Sequence, residues 1–483
     1  MSGIAIIEPR SDILKRKDKI VSSLKSLLTP RSLVTDEAGR RAFETDALTA
    51  YKSLPLAVAL PQSTEETADI LRFCKSNGLR VVARGAGTSL SGGALPAEDS
   101  IVLGLSRMNR VLEVNLESRY IRVQTGITNL GVSGAVSASG FHYAPDPSSQ
   151  LACTIGGNIA MNSGGAHCLK YGVTVNNVLG LKMVTMEGDV IEFGGAHLDG
   201  AGYDFLPLIV GSEGQFGIVT EATLRILPKA ENARPMMIGF QSSEAAGGCV
   251  SAIIGSGILP VAIEFMDRPA IKVCEEFAQA GYPLDVEALL IVEVEGSESE
   301  MEMLLKQIED IASEFEPSVI KVSQSEEESA AIWKGRKAAF GAIGRIADYY
   351  CMDGVIPLST LPNALNRISE ICEKYNLRVA NIFHAGDGNL HPLIMYNAND
   401  EDEKIRAEHC GNEVLALCVD LGGCLTGEHG VGIEKRELML AQFNSVDLTQ
   451  QMRVKSVFDP DWLLNPGKVF PLETQETYLS SVR

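Results

Sequence analysis

Positive charge is scarce in this sequence: 62 Asp and Glu residues outnumber 42 Lys and Arg, and the formal net charge is −20. Proteins that bind nucleic acids or anionic lipid surfaces depend on clustered Lys and Arg. The composition therefore excludes nucleic acid as a partner and argues against direct binding to a membrane surface. An anionic substrate would require a local cationic pocket.

Long apolar runs and paired cysteines are also missing. No run approaches the roughly 18–20 apolar residues that span a bilayer, and the first residues have no signal-peptide core. We therefore expect a cytoplasmic chain without direct membrane insertion; any association with the inner membrane would be through partner subunits. The ten cysteines include no CxxC pair, which argues against a disulfide framework and against an iron–sulfur site in this chain.

The most informative stretch is 84–93, Arg-Gly-Ala-Gly-Thr-Ser-Leu-Ser-Gly-Gly, which follows an apolar strand pattern. Glycine removes the Cβ and permits positive φ, so backbone N–H groups can close around a pyrophosphate. The dinucleotide fingerprint fails because Leu90 stands at its third glycine, and the P-loop fails because Gly93 replaces its lysine. A phosphate cradle and a glycine-rich surface turn both explain this loop when it is considered alone.

Two more glycine-rich, nearly uncharged stretches follow within 80 residues, at 153–160 and 162–165. They come after Asp146, which two flanking prolines hold rigidly. We interpret these stretches as turn-rich loops. Surface turns alone explain three such stretches poorly, so together they predict a site for a long, flat, phosphate-bearing cofactor.

The sequence pattern changes near residue 234, where the glycine-rich loops end and strand patterns begin to alternate with helix patterns. We predict a second α+β domain from this point. The predicted boundaries are an N-terminal helical segment at 1–53, a glycine-loop domain at 54–233, the second domain at 234–425 and a C-terminal segment at 426–483.

A cationic stretch, Trp333-Lys-Gly-Arg-Lys337, stands out in this acidic chain. Arginine binds a carboxylate through two parallel hydrogen bonds, so Arg336 is the candidate for gripping an anionic substrate. A surface salt bridge to the neighbouring Glu326–Glu328 run is the structural alternative.

Three of the seven histidines fall in two glycine-flanked motifs. In the stretch 378–397, two apolar strand patterns flank a turn that contains Asp387 and Asn389, so His384 and His391 should face each other. Glu428 and His429 follow in Gly-Glu-His-Gly-Val-Gly. Two histidines and one carboxylate leave coordination positions open, which suits a catalytic metal ion, whereas buried core histidines are the default interpretation.

This set suits the oxidation of a 2-hydroxy acid. A hydroxyl that resembles water has a pKa of about 16, so removing its proton at neutral pH costs about 12 kcal/mol, too much for one histidine. A divalent ion lowers the pKa of a bound hydroxyl. We therefore expect His384, His391 and Glu428 to bind the ion and His429 to accept the proton.

Six motifs in order, RGAGTSLSGGAL, APDPSSQLACTIGGNIAMNSGGAHCLKYG, GSEGQFGIVTE, NIFHAGDGNLHP, GEHGVGIEK and LLNPGK, resemble the FAD-linked 2-hydroxyacid dehydrogenase family. The resemblance implies an α+β fold: a two-subdomain FAD-binding domain of the vanillyl-alcohol-oxidase (PCMH) type, and an α+β cap domain with an antiparallel sheet that binds the substrate. It also implies that residues 459–468 return to the FAD domain.

The activity that the resemblance implies is oxidation of glycolate, or alternatively D-lactate. Hydride would pass to flavin N5, and the electrons to partner subunits that include an iron–sulfur chain, or to a quinone-type acceptor. His384, His391 and Glu428 match the family's metal ligands, for zinc, iron or manganese, and His429 its proton acceptor. Arg336 matches its carboxylate-binding arginine.

The resemblance places FAD-binding residues along the whole first half of the chain and at one position near the end. They are Arg84, Gly85, Ala86, Gly87, Thr88, Ser89, Pro145, Asp146, Ala152, Cys153, Thr154, Gly156, Gly157, Asn158, Gly164, Gly165, Glu213, Gly217, Ile218 and Asn465.

Two departures from the family pattern refine the expectation. Thr88 stands where covalently flavinylated relatives have histidine, so FAD should bind non-covalently. Cys351 stands where some relatives have a substrate-holding lysine, which agrees with a small acid. A flavin-free metallohydrolase and a non-catalytic assembly subunit are the rival interpretations.

Overall fold

The computed structural model describes residues 4–197 and 202–482. The chain divides into two units. The first, which we call the glycine-loop unit, comprises Ile4–Gly164, Val173–Lys229 and the chain from Glu428 onward. The second, called the cap unit, comprises Ala230–Gly427 together with the short segment Gly165–Gly172, which we call the strap.

The first sheet of the glycine-loop unit has four strands in the order β1-β2-β4-β3. The strands are β1 Leu33–Val34, β2 Ala57–Ala59, β3 Arg80–Arg84 and β4 Ser100–Gly104. β2 and β3 both run parallel to β4, and helix Thr64–Ser76 connects them. The sequence Ser63-Thr-Glu-Glu66 is a capping-box pattern that predicts a helix start here. The structure confirms it, because Ser63 Oγ accepts a hydrogen bond from Glu66 N at 3.1 Å.

The second sheet of this unit has five antiparallel strands in the order β5-β6-β10-β8-β9. The five strands are β5 Val111–Asn115, β6 Tyr120–Gln124, β8 Val178–Val184, β9 Val190–Gly194 and β10 Ile218–Arg225. A separate two-stranded pair is formed by β7 Phe141–His142 and β11 Leu227–Pro228. β10 alternates buried and half-buried residues along its length, so one face carries the core. Residues 181–193 show two apolar strand patterns on either side of the turn Glu187-Gly188-Asp189, which predicts a hairpin. The antiparallel pair β8 and β9 confirms it.

Helices fill the remainder of the glycine-loop unit. They are Ser11–Lys15, Lys17–Leu27, Glu37–Arg41, Thr64–Ser76, Asn129–Ser137, Ile155–Met161, Leu206–Ile209, Met439–Gln442, Ser445–Phe458 and Leu472–Val482, with 3-10 turns at Thr174–Asn177 and Arg436–Leu438. One prediction was wrong: the stretch 153–160 is not only a loop, because Thr154 caps a helix there and its hydroxyl accepts from Gly157 N.

The cap unit is built on one large sheet of nine strands. They are β12 Asn232–Phe240, β13 Ala262–Asp267, β14 Ala288–Gly296, β15 Val319–Val322, β16 Asp348–Cys351, β17 Gly354–Val355, β18 Arg378–His384, β19 Asn389–Leu390 and β20 Pro392–Tyr396. The main order is β15-β12-β14-β13-β18-β19-β17, and β20 joins β18 to β16. All pairings are antiparallel, so the predicted α+β cap with an antiparallel sheet is confirmed.

The helices of the cap unit pack against this sheet. They are Cys168–Tyr171, Ser243–Gly255, Arg268–Ala278, Glu298–Ser313, Glu326–Lys337, Ala339–Ile343, Leu361–Lys374 and Glu401–Asp420, with a 3-10 turn at Leu358–Thr360. Among the residues described, none of the helices of either unit combines the length and the apolar character needed to cross a lipid bilayer.

The strap is fixed to the cap unit by polar contacts to β14. His167 Nε2 lies 3.0 Å from Glu293 Oε2, and Lys170 Nζ lies 2.9 Å from Glu295 Oε1. The hydroxyl of Tyr171 also donates to Glu295. These contacts explain why eight residues belong to the cap although the chain on either side of them belongs to the other unit.

The Phe265–Phe383 pair gives a test of the cap core. The rings are opposite each other on β13 and β18, fully buried, and stacked with centroids 4.7 Å apart. Phe383→Ala should lower the free energy of unfolding by about 3–5 kcal/mol through lost burial and a cavity. Phe277→Ala, at a half-exposed position, should cost about 0.5 kcal/mol or less.

The measurement is denaturant unfolding followed by tryptophan fluorescence in a Trp462→Phe background. Trp333 then reports on the cap unit, because the chain has only these two tryptophans. Equal losses in the two phenylalanine variants would contradict this assignment of the core.

Candidate functional site

Two glycine-rich stretches of the glycine-loop unit meet at Gly85. A Cβ at this position would collide with Thr154 Oγ1 and lie within 3.4 Å of Gly157 N. The loop after β3 therefore packs directly on the start of helix Ile155–Met161, an approach that only glycine allows. Two stretches about 70 residues apart in the sequence are thus brought into contact through their glycine backbone, where N–H groups can approach a phosphate-bearing ligand.

Arg84 supports this loop from beneath. The side chain is buried, its Nη1 donates to Thr45 O at 2.8 Å, and it lies under Gly87, which has φ of +77°. Burial lowers the pKa of Arg84, and the carboxylate of Asp46 opposes that shift. Asp46 itself accepts from Leu48 N and Ala94 N, so it ties residues on both sides of the loop together. Arg84 thus shapes the cradle from below.

Asn129 joins the proline-rich turn to the capped helix. Its Nδ2 donates to Pro145 O at 2.9 Å, and its Oδ1 accepts from Asn158 Nδ2 at 2.9 Å. Asp146 lies half-buried just beyond, and Gly156 N donates to Thr125 O at 2.8 Å. No motif in the sequence indicates Asn129, because its burial and its two partners are visible only in the fold.

Glu213 holds the segment that carries Glu428 and His429. Its buried carboxylate accepts from Val431 N at 2.6 Å and Gly432 N at 2.8 Å. Burial raises the pKa of Glu213, and these two N–H groups oppose the rise. Ser91 Oγ donates to His429 O at 3.0 Å, so the glycine loop supports the same segment.

Glu428 reaches the third glycine-rich stretch of this unit. Its Oε2 accepts from Gly164 N at 3.1 Å. Glu428 and His429 are both half-buried, which leaves each side chain accessible to a ligand.

The C-terminal motif also joins this unit. Asn465 is buried with φ of +40°; its Oδ1 accepts from Ala83 N at 2.9 Å and its Nδ2 donates to Glu213 O at 2.5 Å. Lys468 Nζ donates to Gly93 O at 2.6 Å. Burial lowers the pKa of Lys468 to about 7, although Asp46 and Glu213 pull it upward. Lys468 is the lysine of the LLNPGK motif, and it was not among the predicted site residues.

The remaining predicted cofactor residues divide by position. Ala86, Thr88 and Ser89 lie on the accessible part of the loop, and Cys153 and Ala152 precede the capped helix. Three others have different surroundings: Gly217 backs onto Met183 and Val184, the side chain of Ile218 packs in the hydrophobic core, and Gly165 belongs to the cap unit.

In the cap unit, His384 and His391 come together as predicted. Their ring centroids are 5.2 Å apart, and their ligand nitrogens lie within 4.8 Å of each other. The strand register differs from a simple hairpin, because His384 is opposite Asn389 and His391 lies between β19 and β20. His384 Nδ1 is 2.7 Å from Glu264 Oε1, and His391 Nδ1 is 3.2 Å from Met352 O. Both Nδ1 atoms face acceptors, so metal binding would use Nε2.

Arg336 lies in the same part of the cap. It is 4% exposed and pairs with the fully buried Glu264 through Nε at 2.7 Å and Nη2 at 2.5 Å. The Glu326–Glu328 run is therefore not its partner. Burial alone would raise the pKa of Glu264, but Arg336 and His384 hold it at about 2. A guanidinium has five N–H donors, so Arg336 retains donors for a second carboxylate.

Asp387 and Asn389, in the turn between the two histidines, have different surroundings. Asp387 Oδ1 accepts from Asn389 N at 3.2 Å, which closes the turn. Asn389 Oδ1 is buried without a hydrogen bond, and its amide packs against Gly427. Cys351 Sγ also lies within 4.8 Å of a His391 nitrogen. Glu264 has no motif signal in the sequence, because it is one of two carboxylates in the otherwise apolar strand Ala262–Asp267.

Comparison with known proteins identifies both halves of this arrangement. The family described as FAD binding domain matches residues 55–194, and the family described as FAD linked oxidases, C-terminal domain, matches residues 229–469. The glycine cradle lies in the first match, and the histidine pair and Arg336 lie in the second.

Whole-length relatives agree. The chain is 46% identical over 463 residues to glycolate oxidase subunit GlcD of Escherichia coli K12, covering 96% of this chain and 91% of that protein. It is 30% identical to a D-lactate dehydrogenase of Anaerostipes hadrus, covering 93% and 97%. The solved structure of 4-ethylphenol oxidase from Gulosibacter chungangensis superposes with a TM-score of 0.80 at 17% identity, covering 96% and 99%, which shows a shared fold.

Asn465 gives a test of the cradle. Asn465→Ala removes both side-chain hydrogen bonds, leaves Ala83 N and Glu213 O unsatisfied and places alanine at positive φ. We expect the free energy of unfolding to fall by about 2–4 kcal/mol and bound cofactor to be lost on gel filtration. Asn465→Gly loses the same hydrogen bonds but tolerates the positive φ, so its loss should be smaller. Unchanged thermal unfolding of Asn465→Ala would contradict this role.

Proposed function

This chain belongs to the FAD-linked oxidases, and from that premise we propose that it oxidises a small 2-hydroxy acid, glycolate in the first place. D-lactate is the alternative substrate, because relatives of both names match nearly the whole chain. The single observation that carries the proposal is the cap cluster: His384 and the buried Arg336 both contact Glu264, and His391 lies beside His384.

The glycine-loop unit supplies the cofactor site in this proposal. The cradle at Gly85, Thr154 and Gly157 fits a pyrophosphate, because side chains there would block approach to the backbone. FAD bound in this unit supplies the hydride acceptor. Thr88 on the loop lacks the imidazole needed for a covalent flavin bond, so we propose that FAD is bound non-covalently.

His384, His391 and Glu428 would hold a divalent ion, of zinc, iron or manganese. The donor set fits, since two imidazoles that present Nε2 and one carboxylate are usual ligands of a catalytic ion. Glu428 follows directly on Gly427, which packs against Asn389 in the turn between the histidines, and consecutive Cα atoms lie about 3.8 Å apart. The ion would lower the pKa of the substrate hydroxyl.

The chain's own groups then have distinct tasks. Arg336 binds the substrate carboxylate through donors that Glu264 leaves available, which fixes the orientation of the α-carbon. His429 accepts the hydroxyl proton at its imidazole, the step that prepares the α-carbon to release hydride.

We further propose that the reduced protein passes electrons to partner chains with an iron–sulfur relay, since CxxC spacing is absent from this sequence. The name of the Escherichia coli relative describes that protein as a subunit. All ten cysteines are thiols rather than disulfides, which supports a reducing compartment such as the cytoplasm.

The decisive experiment is stopped-flow flavin reduction with glycolate, D-lactate and L-lactate, before and after removal of metal by a chelator. Glycolate should bleach the visible flavin band, and chelation should slow bleaching by at least about 100-fold while FAD stays bound. His429→Ala should slow it by about 100–10,000-fold.

Three results would count against the proposal. A preparation that cannot be loaded with FAD rejects the oxidase assignment and favours a metallohydrolase. Full activity in His429→Ala favours an assembly subunit. If the chelator does not change the rate of flavin bleaching, the ion takes no part in the reaction.

Arg336 is tested separately by affinity. Arg336→Ala should raise the glycolate concentration that gives half-maximal flavin reduction by about 10–100-fold, because a charge-assisted bidentate contact is lost, with a smaller effect on the limiting rate. Lys337→Ala removes an exposed charge from the next position of the same helix and should change neither value by more than about twofold. Unchanged affinity in Arg336→Ala would remove this residue from the pocket.

A further inference from the structure

Glu264 lies on β13 between Ile263 and Phe265, and its side chain has no exposed surface. The other four of the first five residues of this strand are apolar. A carboxylate in such a place carries a large desolvation cost, which only good ionic partners offset. Glu264 has two ionic partners on different elements: Arg336 on helix Glu326–Lys337 and His384 at the end of β18. An apolar residue at this position would avoid the cost, so the carboxylate calls for a functional explanation.

The contact with His384 determines which ring nitrogen carries the proton. A carboxylate only accepts hydrogen bonds, so His384 Nδ1, at 2.7 Å from Oε1, must be the N–H nitrogen. The lone pair is then on Nε2. Only in this tautomer can His384 bind a metal ion through Nε2.

The contact with Arg336 determines the plane of the guanidinium. Oε2 lies 2.7 Å from Nε and 2.5 Å from Nη2, so the side edge of the fork faces Glu264. This arrangement directs Nη1 away from Glu264. One carboxylate therefore fixes both the imidazole and the guanidinium, and neither can rotate without disturbing the other.

We propose that Glu264 is a positioning residue that sets the tautomer of His384 and the plane of Arg336, and so keeps the metal ligand and the substrate-binding arginine in one fixed geometry. This inference rests on the function proposed above. It adds a residue that touches neither substrate nor ion and acts through the two that do.

The cap unit offers a matched control on the next strand. Glu293 of β14 accepts from Trp333 Nε1 at 2.7 Å and lies 3.0 Å from His167 Nε2. It is also buried, and Trp333 is one turn before Arg336 on the same helix. Glu293→Gln therefore makes the same chemical change beside a histidine that is outside the candidate metal set.

The test compares Glu264→Gln with Glu293→Gln. If the amide oxygen of the new glutamine stays on Arg336, its NH₂ group faces His384 Nδ1 and favours the other tautomer, with the proton on Nε2. Zn²⁺ affinity, measured on chelator-stripped, FAD-loaded protein by competition with a chromogenic chelator, should fall about 10–100-fold for Glu264→Gln. Glu293→Gln should stay within about twofold of the parent.

The double variant separates positioning from general destabilisation. In a His384→Ala background, Glu264→Gln should cause no further loss of Zn²⁺ affinity, because the ligand that it orients is gone. The glycolate concentration for half-maximal flavin reduction should also rise for Glu264→Gln, since Arg336 loses its fixed plane. FAD content and circular dichroism report whether each variant is folded.

The outcomes are distinguishable. A parent protein that binds no Zn²⁺ contradicts the metal centre of the proposed function. A parent that binds Zn²⁺, with Glu264→Gln within about twofold of it, overturns the positioning role alone. If Glu264→Gln does not fold, Glu264→Asp decides: its shorter side chain keeps the charge but cannot span both partners, so parental Zn²⁺ and glycolate affinities in that variant also overturn the role.

Discussion

The cap unit depends on neutralising a charge inside an apolar sheet. Glu264 is surrounded by strands whose side chains are buried on both faces, and only Arg336 and His384 keep it ionised. The strand register follows from the same contact, because His384 is opposite Glu264 in the β13–β18 pair. A shift of one residue would turn the histidine to the other face and leave the carboxylate without a partner. The polar cluster therefore favours one register of the sheet pairing.

The glycine-loop unit has a different requirement: its backbone polar groups must approach a ligand at positions where side chains would be in the way. The loop after β3 and helix Ile155–Met161 approach until Gly85 leaves no space for a Cβ. Side chains then support the cradle from outside: Arg84 lies beneath the loop, Asn129 clamps the proline turn, and Glu213 holds the backbone of the 431–432 segment. In the proposed function these supports keep the site shaped before the cofactor arrives.

The sequence was most informative where residues close in the chain act together. The capping of helix Thr64–Ser76, the β8–β9 hairpin and the His384–His391 pair all depend on local spacing, and the structure confirms them. Glu264 could not be found in this way, because its partners are 72 and 120 positions away. Helix Ile155–Met161 was missed because its two glycines lower helix propensity, while the Thr154 cap and packing on Gly85 stabilise it.

The strap limits how a cap unit of this kind could be exchanged between related proteins by recombination. The chain passes between the two units at Gly164, at Gly172, at Lys229 and at Gly427, so the cap is not an insertion with a single entry and exit. Recombination that moved Ala230–Gly427 alone would leave behind the lysine that neutralises Glu295, the tyrosine that donates a hydrogen bond to it, and the histidine beside Glu293. New substrate specificities in this architecture should therefore evolve by point substitution inside the cap, or by joint inheritance of both segments.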